Sequence, residues 1–141
     1  MYKTILIALD VNHESSWVKA VPTAAALADA FGADLHVMSV APGVRSAMAA
    51  QHFPANFQAK SIAATEAALK AVVAATLPGR KVTQHIATGR IYRSILRQAD
   101  AIEADLIVMA SHRPELQDAL IGPNADLVMR HAKASMLIVR E

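Results

Sequence analysis

Five short apolar runs, separated by longer stretches with helical periodicity, dominate the pattern of hydrophobic and polar positions along the chain. The runs are Thr4–Leu9, Leu35–Val40, Val82–Ala87, Leu106–Ala110 and Met136–Val139. Four of them are nearly continuous, which is typical of strands that are buried on both faces of a parallel sheet. Val82–Ala87 differs because it mixes polar side chains with apolar ones. This run therefore predicts an edge strand with one wetter face.

Four stretches between the runs have the spacing of amphipathic helices. They are Glu14–Phe31, Phe57–Leu77, Ile91–Ala104 and Asn124–Ala132. We expect Asn12 or His13 to begin the first helix and Gly32 to cap its end, while Pro22 should kink it or break its first turns. Regular alternation with right-handed crossovers predicts an α/β fold. Its core would be a single doubly wound open sheet of five mainly parallel strands, with four helices on both faces.

Length and composition favour one cytoplasmic domain over residues 1–141. A chain of 141 residues, of which 54% are hydrophobic, is large enough to bury a substantial core. The absence of cysteine excludes disulfides and thiolate chemistry. The net charge of +2 is not concentrated in a basic block and aromatic residues make up only 4%, so we expect no nucleic-acid partner. No apolar run has the length of a signal peptide or membrane span, so we expect a cytoplasmic protein that binds no membrane.

Candidate chemistry is expected at one edge of the sheet. Ligands of open α/β sheets bind beyond the carboxyl ends of the strands, where the strand order reverses. The loops that follow Leu9, Val40 and Ala110 should meet there. Asp10 in the first loop could bind a ribose, an adenine or a metal held with phosphate. Simple turn chemistry in the sequence Asp10-Val11-Asn12 explains the same residue equally well.

The loop after the fourth run carries the densest polar signal. Arg113 supplies a cation, Ser111 and His112 supply side-chain donors, and the next helix presents its positive end. Gly122 would let the backbone approach an anion closely. These features are compatible with a phosphate site. A surface loop with a helix-capping glycine also explains them, since neither a Walker P-loop nor GxGxxG is present.

Metal and hydrolase interpretations have little support. The six histidines include no HxxxH or HExxH pair, so we expect no metal site. Ser111 and His112 are adjacent, but no GxSxG elbow accompanies them, which argues against a hydrolase. The long irregular stretch Ala41–Ala55 is either a functional loop or a bridge without a role.

The chain resembles the universal stress protein family over its whole length. YKTILIALD is similar to the family's first strand with its terminal Asp, LHVMSV is similar to the second, and Gly89 matches a glycine common after the third. The ordered motifs ASHRP, GPNA, RHA and LIVR resemble the branch that includes the bacterial F- and G-type proteins. The resemblance implies strand order 3-2-1-4-5 and an ATP-binding cleft. It also implies a homodimer that pairs the last strands, Ala134–Arg140, of two subunits.

The resemblance further implies a set of nucleotide-binding residues and no catalytic residue. The set comprises Ala8, Leu9, Asp10 and Val40 around adenine and ribose, Met109 and Ala110 on the floor, and Ser111, His112, Arg113, Gly122, Pro123 and Asn124 at the phosphates. The implied ligand is ATP or another adenine nucleotide, with Mg²⁺ accompanying it.

The phosphate motif departs from the family's pattern. ATP-binding members carry Gly-x2-Gly-x9-Gly-Ser/Thr after the fourth strand. Here Ala110 and Arg113 replace the first two glycines, and Gly122 follows after eight residues instead of nine. Pro123 then replaces the Ser or Thr, and because proline has neither a hydroxyl nor a backbone N–H, two phosphate donors are lost. Arg113 could offset this loss by contacting phosphate itself.

Three functions are therefore open. The leading interpretation is a dimeric stress-response or signalling protein that binds ATP, ADP or AMP. The alternative, favoured by Pro123, is a dimeric interaction module of the same family that binds no nucleotide. A slow ATPase or phosphotransfer enzyme is the weakest interpretation, because no positioned general base is evident apart from His112.

Overall fold

The computed structural model describes residues 1–43, 48, 51–111 and 123–140. The strands are β1 (Thr4–Ala8), β2 (Asp34–Ala41), β3 (Thr83–Thr88), β4 (Leu106–Ser111) and β5 (Ser135–Arg140). The helices are α1 (Ala20–Phe31), α2 (Phe57–Thr76), α3 (Ile91–Ala101) and α4 (Pro123–His131), and a short 3-10 helix covers Glu14–Ser16. Every apolar run of the sequence is a strand, and no bound is shifted by more than one residue.

All five strands pair in parallel, in the order β3-β2-β1-β4-β5. Strand β1 is central, so Ile5 lies between Leu35 of β2 and Leu106 of β4. The predicted order 3-2-1-4-5 is confirmed, and so is the position of β3 at one edge. Strand β5 forms the other edge.

Two aliphatic cores cover the two faces of the sheet, because successive side chains of a strand point to opposite faces. Ile5 and Ile7 face α1 and α2, whereas Leu6 and Ala8 face α3 and α4. Ile5, Leu6 and Ile7 are completely buried. This double coverage explains why the central strand reads as a continuous apolar run rather than an alternating one.

The first helix begins later than the sequence predicts. Residues from Glu14 form a 3-10 turn, and α1 starts only at Ala20, so the predicted start at Asn12 or His13 is wrong. Pro22 consequently lies in the first turn of α1, where the missing N–H breaks no intrahelical hydrogen bond. Pro22 is therefore compatible with the start of α1 as observed.

The predicted cap at the end of α1 is confirmed. Gly32 adopts φ +65°, a left-handed conformation, and the Ala33 N–H donates to the carbonyl of Ala28 at 2.9 Å. At the end of α3 the predicted boundary is wrong by three residues. That helix ends at Ala101 because Glu103 takes φ +52° and the Ala104 N–H turns back to the carbonyl of Ala99 at 2.9 Å.

None of the helices in the described part of the chain is long and apolar enough to cross a membrane.

Candidate functional site

A large cleft lies at the carboxyl edge of the sheet in the described part of the chain. Its volume is about 1090 Å³, just above the range of roughly 300–1,000 Å³ that is usual for small-molecule sites. The loops after β1 and β2 contribute Asp10 and Pro42 to its walls, and the end of β4 contributes Ala110. The cleft therefore lies where parallel-sheet topology predicts a ligand site.

Most of the predicted site residues surround this cleft. Those that line it are Ala8, Leu9, Asp10, Val40, Met109, Ala110, Pro123 and Asn124. Ser111 does not: it ends β4 with only 2% of its surface exposed and is not among the lining residues. His112, Arg113 and Gly122 lie outside the described residues.

The floor of the cleft is apolar. Ala8 and Met109, opposite each other on β1 and β4, are 7% and 8% exposed, and Met38 on β2 is completely buried. Val40 is half-buried farther along β2. A flat apolar ligand group can therefore lie across the ends of three adjacent strands.

Asp10 organises the turn that follows β1. One carboxylate oxygen accepts the backbone N–H of Asn12, and the other accepts the Nδ1–H of His13, both at 2.9 Å. The Asp10 N–H donates to Ser16 Oγ at 2.9 Å, and that hydroxyl donates in turn to the carbonyl of His13 or of Asp10, at 2.7 and 2.8 Å. The turn chemistry considered for Asp10 is therefore real, and it fixes the carboxylate at the mouth of the cleft.

The turn role of Asp10 leaves room for a ligand. An ionised carboxylate has about four lone-pair sites, and the turn uses two of them. The Asp10 side chain is 52% exposed, and Asn12, His13 and Ser16 line the cleft beside it. Sequence reasoning did not identify these three neighbours as part of the site.

Sequence reasoning also missed the wall formed by the β3–α3 turn. Thr88, Gly89, Arg90 and Tyr92 line this side of the cleft. Gly89 adopts φ +102°, which a residue with a side chain rarely takes, and it turns the chain from strand into helix. The hydroxyl of Ser94 donates to the carbonyl of Thr88 at 3.0 Å and fixes the turn. The sequence signal that could have identified this wall was Gly89, which matches a glycine common in the family after the third strand.

Two positive side chains stand at the start of α3. Arg90 is the only arginine or lysine among the described residues that line the cleft. Next to it, the Nε–H of Arg93 donates to the hydroxyl of Tyr92 at 3.0 Å, and this hydrogen bond is the main reason that the pKa of the Tyr92 phenol is lowered. Arg90 therefore brings a positive charge to this wall of the cleft.

The third wall joins β2 to α2. The carbonyl of Pro42 accepts hydrogen bonds from Ser61 Oγ at 2.6 Å and from Gln58 Nε2 at 3.3 Å. Gln58 and Gly43 also line the cleft. The start of the Ala41–Ala55 stretch thus belongs to the cleft, while residues 44–47, 49 and 50 lie outside the described residues.

Metal ligands are not grouped in the described residues: these contain no cluster of three or more His, Asp or Glu side chains that could hold a metal ion. The residues described around the cleft thus offer no metal-ligand set, and the expected Mg²⁺ receives no support from them.

Comparison with known proteins identifies the family. The sequence profile of the universal stress protein family matches residues 1–140. Universal stress protein G of Escherichia coli O157:H7 is 32% identical over 144 residues, which cover 99% of this chain and all of the relative. The Shigella flexneri protein of the same name is 31% identical with the same coverage.

Solved structures share the fold. A universal stress protein in complex with cAMP is 24% identical, with a TM-score of 0.62, covering 99% of this chain and 97% of that one. UspA from Lactobacillus plantarum is 20% identical, with a TM-score of 0.72, covering 99% and 98%. Because the family profile spans nearly every residue and the sheet order agrees with that expected for the family, the chain belongs to the universal stress protein family.

Proposed function

We propose that this protein is a stress-response protein whose cleft binds an adenine nucleotide. One observation carries the proposal. Asp10 and Val40, which the family resemblance assigns to adenine and ribose, and Met109, which it assigns to the floor, come from three different strands or strand ends and line one cleft. Distant sequence positions that meet at the carboxyl edge of a parallel sheet are characteristic of nucleotide sites in doubly wound folds.

The chemistry of each wall fits one part of a nucleotide. The apolar floor of Ala8, Val40 and Met109 suits the face of a purine base. The Asp10 carboxylate keeps acceptor capacity for the ribose hydroxyls after the turn is satisfied. Arg90 on the β3–α3 wall supplies a cation for phosphate.

The phosphate side is the weakest part of the fit. Pro123 begins α4 at the cleft and offers neither a hydroxyl nor an N–H to an anion. Losing a hydrogen bond to a charged group costs about 1.5–3 kcal/mol, or about tenfold to a hundredfold in affinity. We therefore propose that AMP binds at least as tightly as ATP. The solved relative in complex with cAMP also holds a nucleotide with one phosphate, and this accords with the proposal.

Calorimetric titration with ATP, ADP, AMP and GTP tests the proposal. We expect weak binding of all three adenine nucleotides, with AMP at least equal to ATP, and no comparable heat from GTP. Asp10→Ala should weaken AMP binding, whereas His52→Gln, an exposed substitution away from the cleft, should not. Nucleotide released from freshly purified protein on denaturation would identify the bound species. No heat with any adenine nucleotide at millimolar concentration would contradict the proposal.

The alternative function is a dimeric interaction module without nucleotide. Two observations favour it: Pro123 lacks phosphate donors, and the Asp10 carboxylate already has two partners within its own turn. Under this alternative the Asp10 turn is purely structural. Asp10→Ala would then lower thermal stability, and the wild type would show no shift in melting temperature with AMP.

We further propose that the protein is a homodimer through β5. This strand is an edge of the sheet, and its central residues, Met136, Leu137, Ile138 and Val139, are only partly buried. An apolar edge strand exposes unpaired backbone groups and is a liability unless another strand pairs with it. A second copy of the same strand would cover both the backbone groups and the apolar side chains.

A further inference from the structure

Two histidines form a hydrogen-bonded pair across the β2–β3 junction. Nδ1 of His36 lies 2.9 Å from Nε2 of His85. The two rings are nearly parallel, at 7°, but their centroids are 5.2 Å apart. Because the nitrogens are so much closer than the centroids, the rings meet edge to edge through an N–H···N bond rather than face to face.

Among the described residues, few other charges surround the pair. His36 and His85 lie on the α3 side of the sheet, in line with Met38 and Ala87. On α3, Ile95 packs against this face of the sheet, whereas the charged residues of the helix are exposed. The hydroxyl of Tyr92 accepts a hydrogen bond from Arg93. The charged residues of α3 are Arg93, Arg97 and Asp100. On β2, Asp34 acts on His36, and β3 carries no charged group besides His85.

The pair can hold one extra proton but not two. An N–H···N bond needs a hydrogen on only one of the facing nitrogens. A first added proton goes to an outer nitrogen and leaves the bond intact. A second puts hydrogens on both facing nitrogens and two positive charges side by side, so the bond breaks.

Burial and mutual repulsion both resist protonation. Burial lowers the pKa of His36 below its ordinary value of 6.5, although Asp34 partly opposes this. Burial also lowers the pKa of His85, and the charge on His36 lowers it further. A lowered pKa means that the unfolded chain binds protons more readily than the folded one. The stabilisation by the pair is therefore present above about pH 6.5 and is lost as the pH falls below it.

The pair joins an edge strand, β3, to the rest of the sheet. Strand β3 is an edge strand with no fully buried residue, and β2 is its only strand partner in the described chain. His85 is in register with Met38 of the cleft floor, and Thr88 at the end of the same strand begins the cleft wall that contains Arg90. A loosened β3 would therefore move one wall of the cleft.

We propose that the His36–His85 bond is an acid-sensitive clasp. At neutral pH it holds β3 and the β3–α3 wall of the cleft against the sheet, and it releases them when both imidazoles are protonated.

Hydrogen–deuterium exchange at pH 7.5 and 5.5, corrected for intrinsic rates, tests the clasp. When the pH of the wild type is lowered from 7.5 to 5.5, we expect the protection of β3 amides to fall roughly two- to tenfold more than the protection of β4 amides. The loss of one hydrogen bond implies a difference of this size. His85→Gln and His36→Asn each place an amide group near the position of the facing nitrogen. Because an amide does not take up a proton in this pH range, each variant should lose the additional decrease in β3 protection. His52→Gln, an exposed histidine, should behave like the wild type. Equal pH dependence of β3 and β4 in the wild type, or a wild-type response in both variants, would overturn the proposal.

A second measurement tests the link to the cleft, and this part rests on the proposed nucleotide function. Adenosine is the probe, because it carries no phosphate that titrates in the same range. We expect its affinity to fall two- to tenfold from pH 7.5 to 5.5 in the wild type but not in His85→Gln. Equal affinity at both pH values would overturn the link to the cleft. Adenosine that fails to bind at either pH contradicts the nucleotide function, while the exchange result still decides the clasp.

Discussion

Both carboxylate oxygens of Asp105 accept the backbone N–H of Lys3, at 3.1 and 2.9 Å, and one of them also accepts the N–H of Thr4 at 3.0 Å. These bonds join the start of β4 to the start of β1, at the end of the sheet opposite the cleft. Burial of the Asp105 carboxyl opposes ionisation, but the backbone hydrogen bonds outweigh it and lower its pKa from the ordinary value of 3.8.

Removing this carboxylate should destabilise the fold without changing the cleft. We expect Asp105→Ala to lower the free energy of unfolding at pH 7 by about 1–2 kcal/mol, because the N–H groups lose charged acceptors at a partly solvated site. Urea unfolding measures this. Asp100→Ala is the control, since its exposed ion pair with Lys133 spans 3.9 Å and should contribute less than about 1 kcal/mol.

The contribution of Asp105 should also depend on pH. Because its pKa is lowered in the folded state, the stabilisation is present above pH 3.8 and declines as the pH falls through and below that value. The difference between wild type and Asp105→Ala should therefore shrink between pH 5 and pH 3. A difference that stays constant over this range would contradict the role of the ionised carboxylate.

Gly32→Ala should destabilise the end of α1. Gly32 has φ +65°, and no atom lies within 4 Å of where a Cβ would be, so strain in the backbone rather than a clash sets the cost. That cost is about 1–2 kcal/mol for an L-residue in this conformation. Gly32→Asn is the matched control, because Asn tolerates the left-handed region better. Equal stability of the wild type and Gly32→Ala in thermal unfolding would show that the turn relaxes.

Pro123→Ser should strengthen ATP binding more than AMP binding. The change restores a hydroxyl and an N–H at the start of α4, and calorimetry should show ATP affinity rising by about tenfold or more. Arg113→Ala is the companion variant. If Pro123→Ser leaves ATP affinity unchanged and Arg113→Ala abolishes it, the arginine rather than the helix start provides the phosphate chemistry.

Light scattering at micromolar concentration should give twice the chain mass of 15.0 kDa. Ile138→Lys, on the partly buried edge strand β5, should shift the mass toward the monomer because it puts a charge in the proposed interface. Gln84→Lys on the opposite edge strand, β3, is the control and should leave the dimer intact. Circular dichroism establishes that both variants are folded. A wild-type mass of 15.0 kDa would contradict the dimer.

The sequence by itself determined the strands, their edges and much of the cleft. Continuous apolar runs such as Thr4–Leu9 predict buried parallel strands, and the polar residues of β3 predict its position at an edge. Both patterns follow from whether helices cover the two faces of a strand. Given those strands, parallel topology and the family resemblance place Asp10, Val40 and Met109 at one edge. The cap at Gly32 was predictable too, since it depends only on its near neighbours.

Only the tertiary structure decided which side chains meet. His36 and His85 are 49 positions apart, and whether they touch depends on the register of β2 against β3, which no local pattern encodes. The wall at Arg90 is a similar case, because it lines the same cleft as Asp10 only through the parallel crossovers that bring the carboxyl ends of β3 and β1 to one edge of the sheet. The late start of α1 has a comparable origin. Hydrogen bonds between Ser16 and Asp10 hold residues 14–16 in a 3-10 turn, although the amphipathic pattern of Glu14–Phe31 predicts a helix from Glu14 onward.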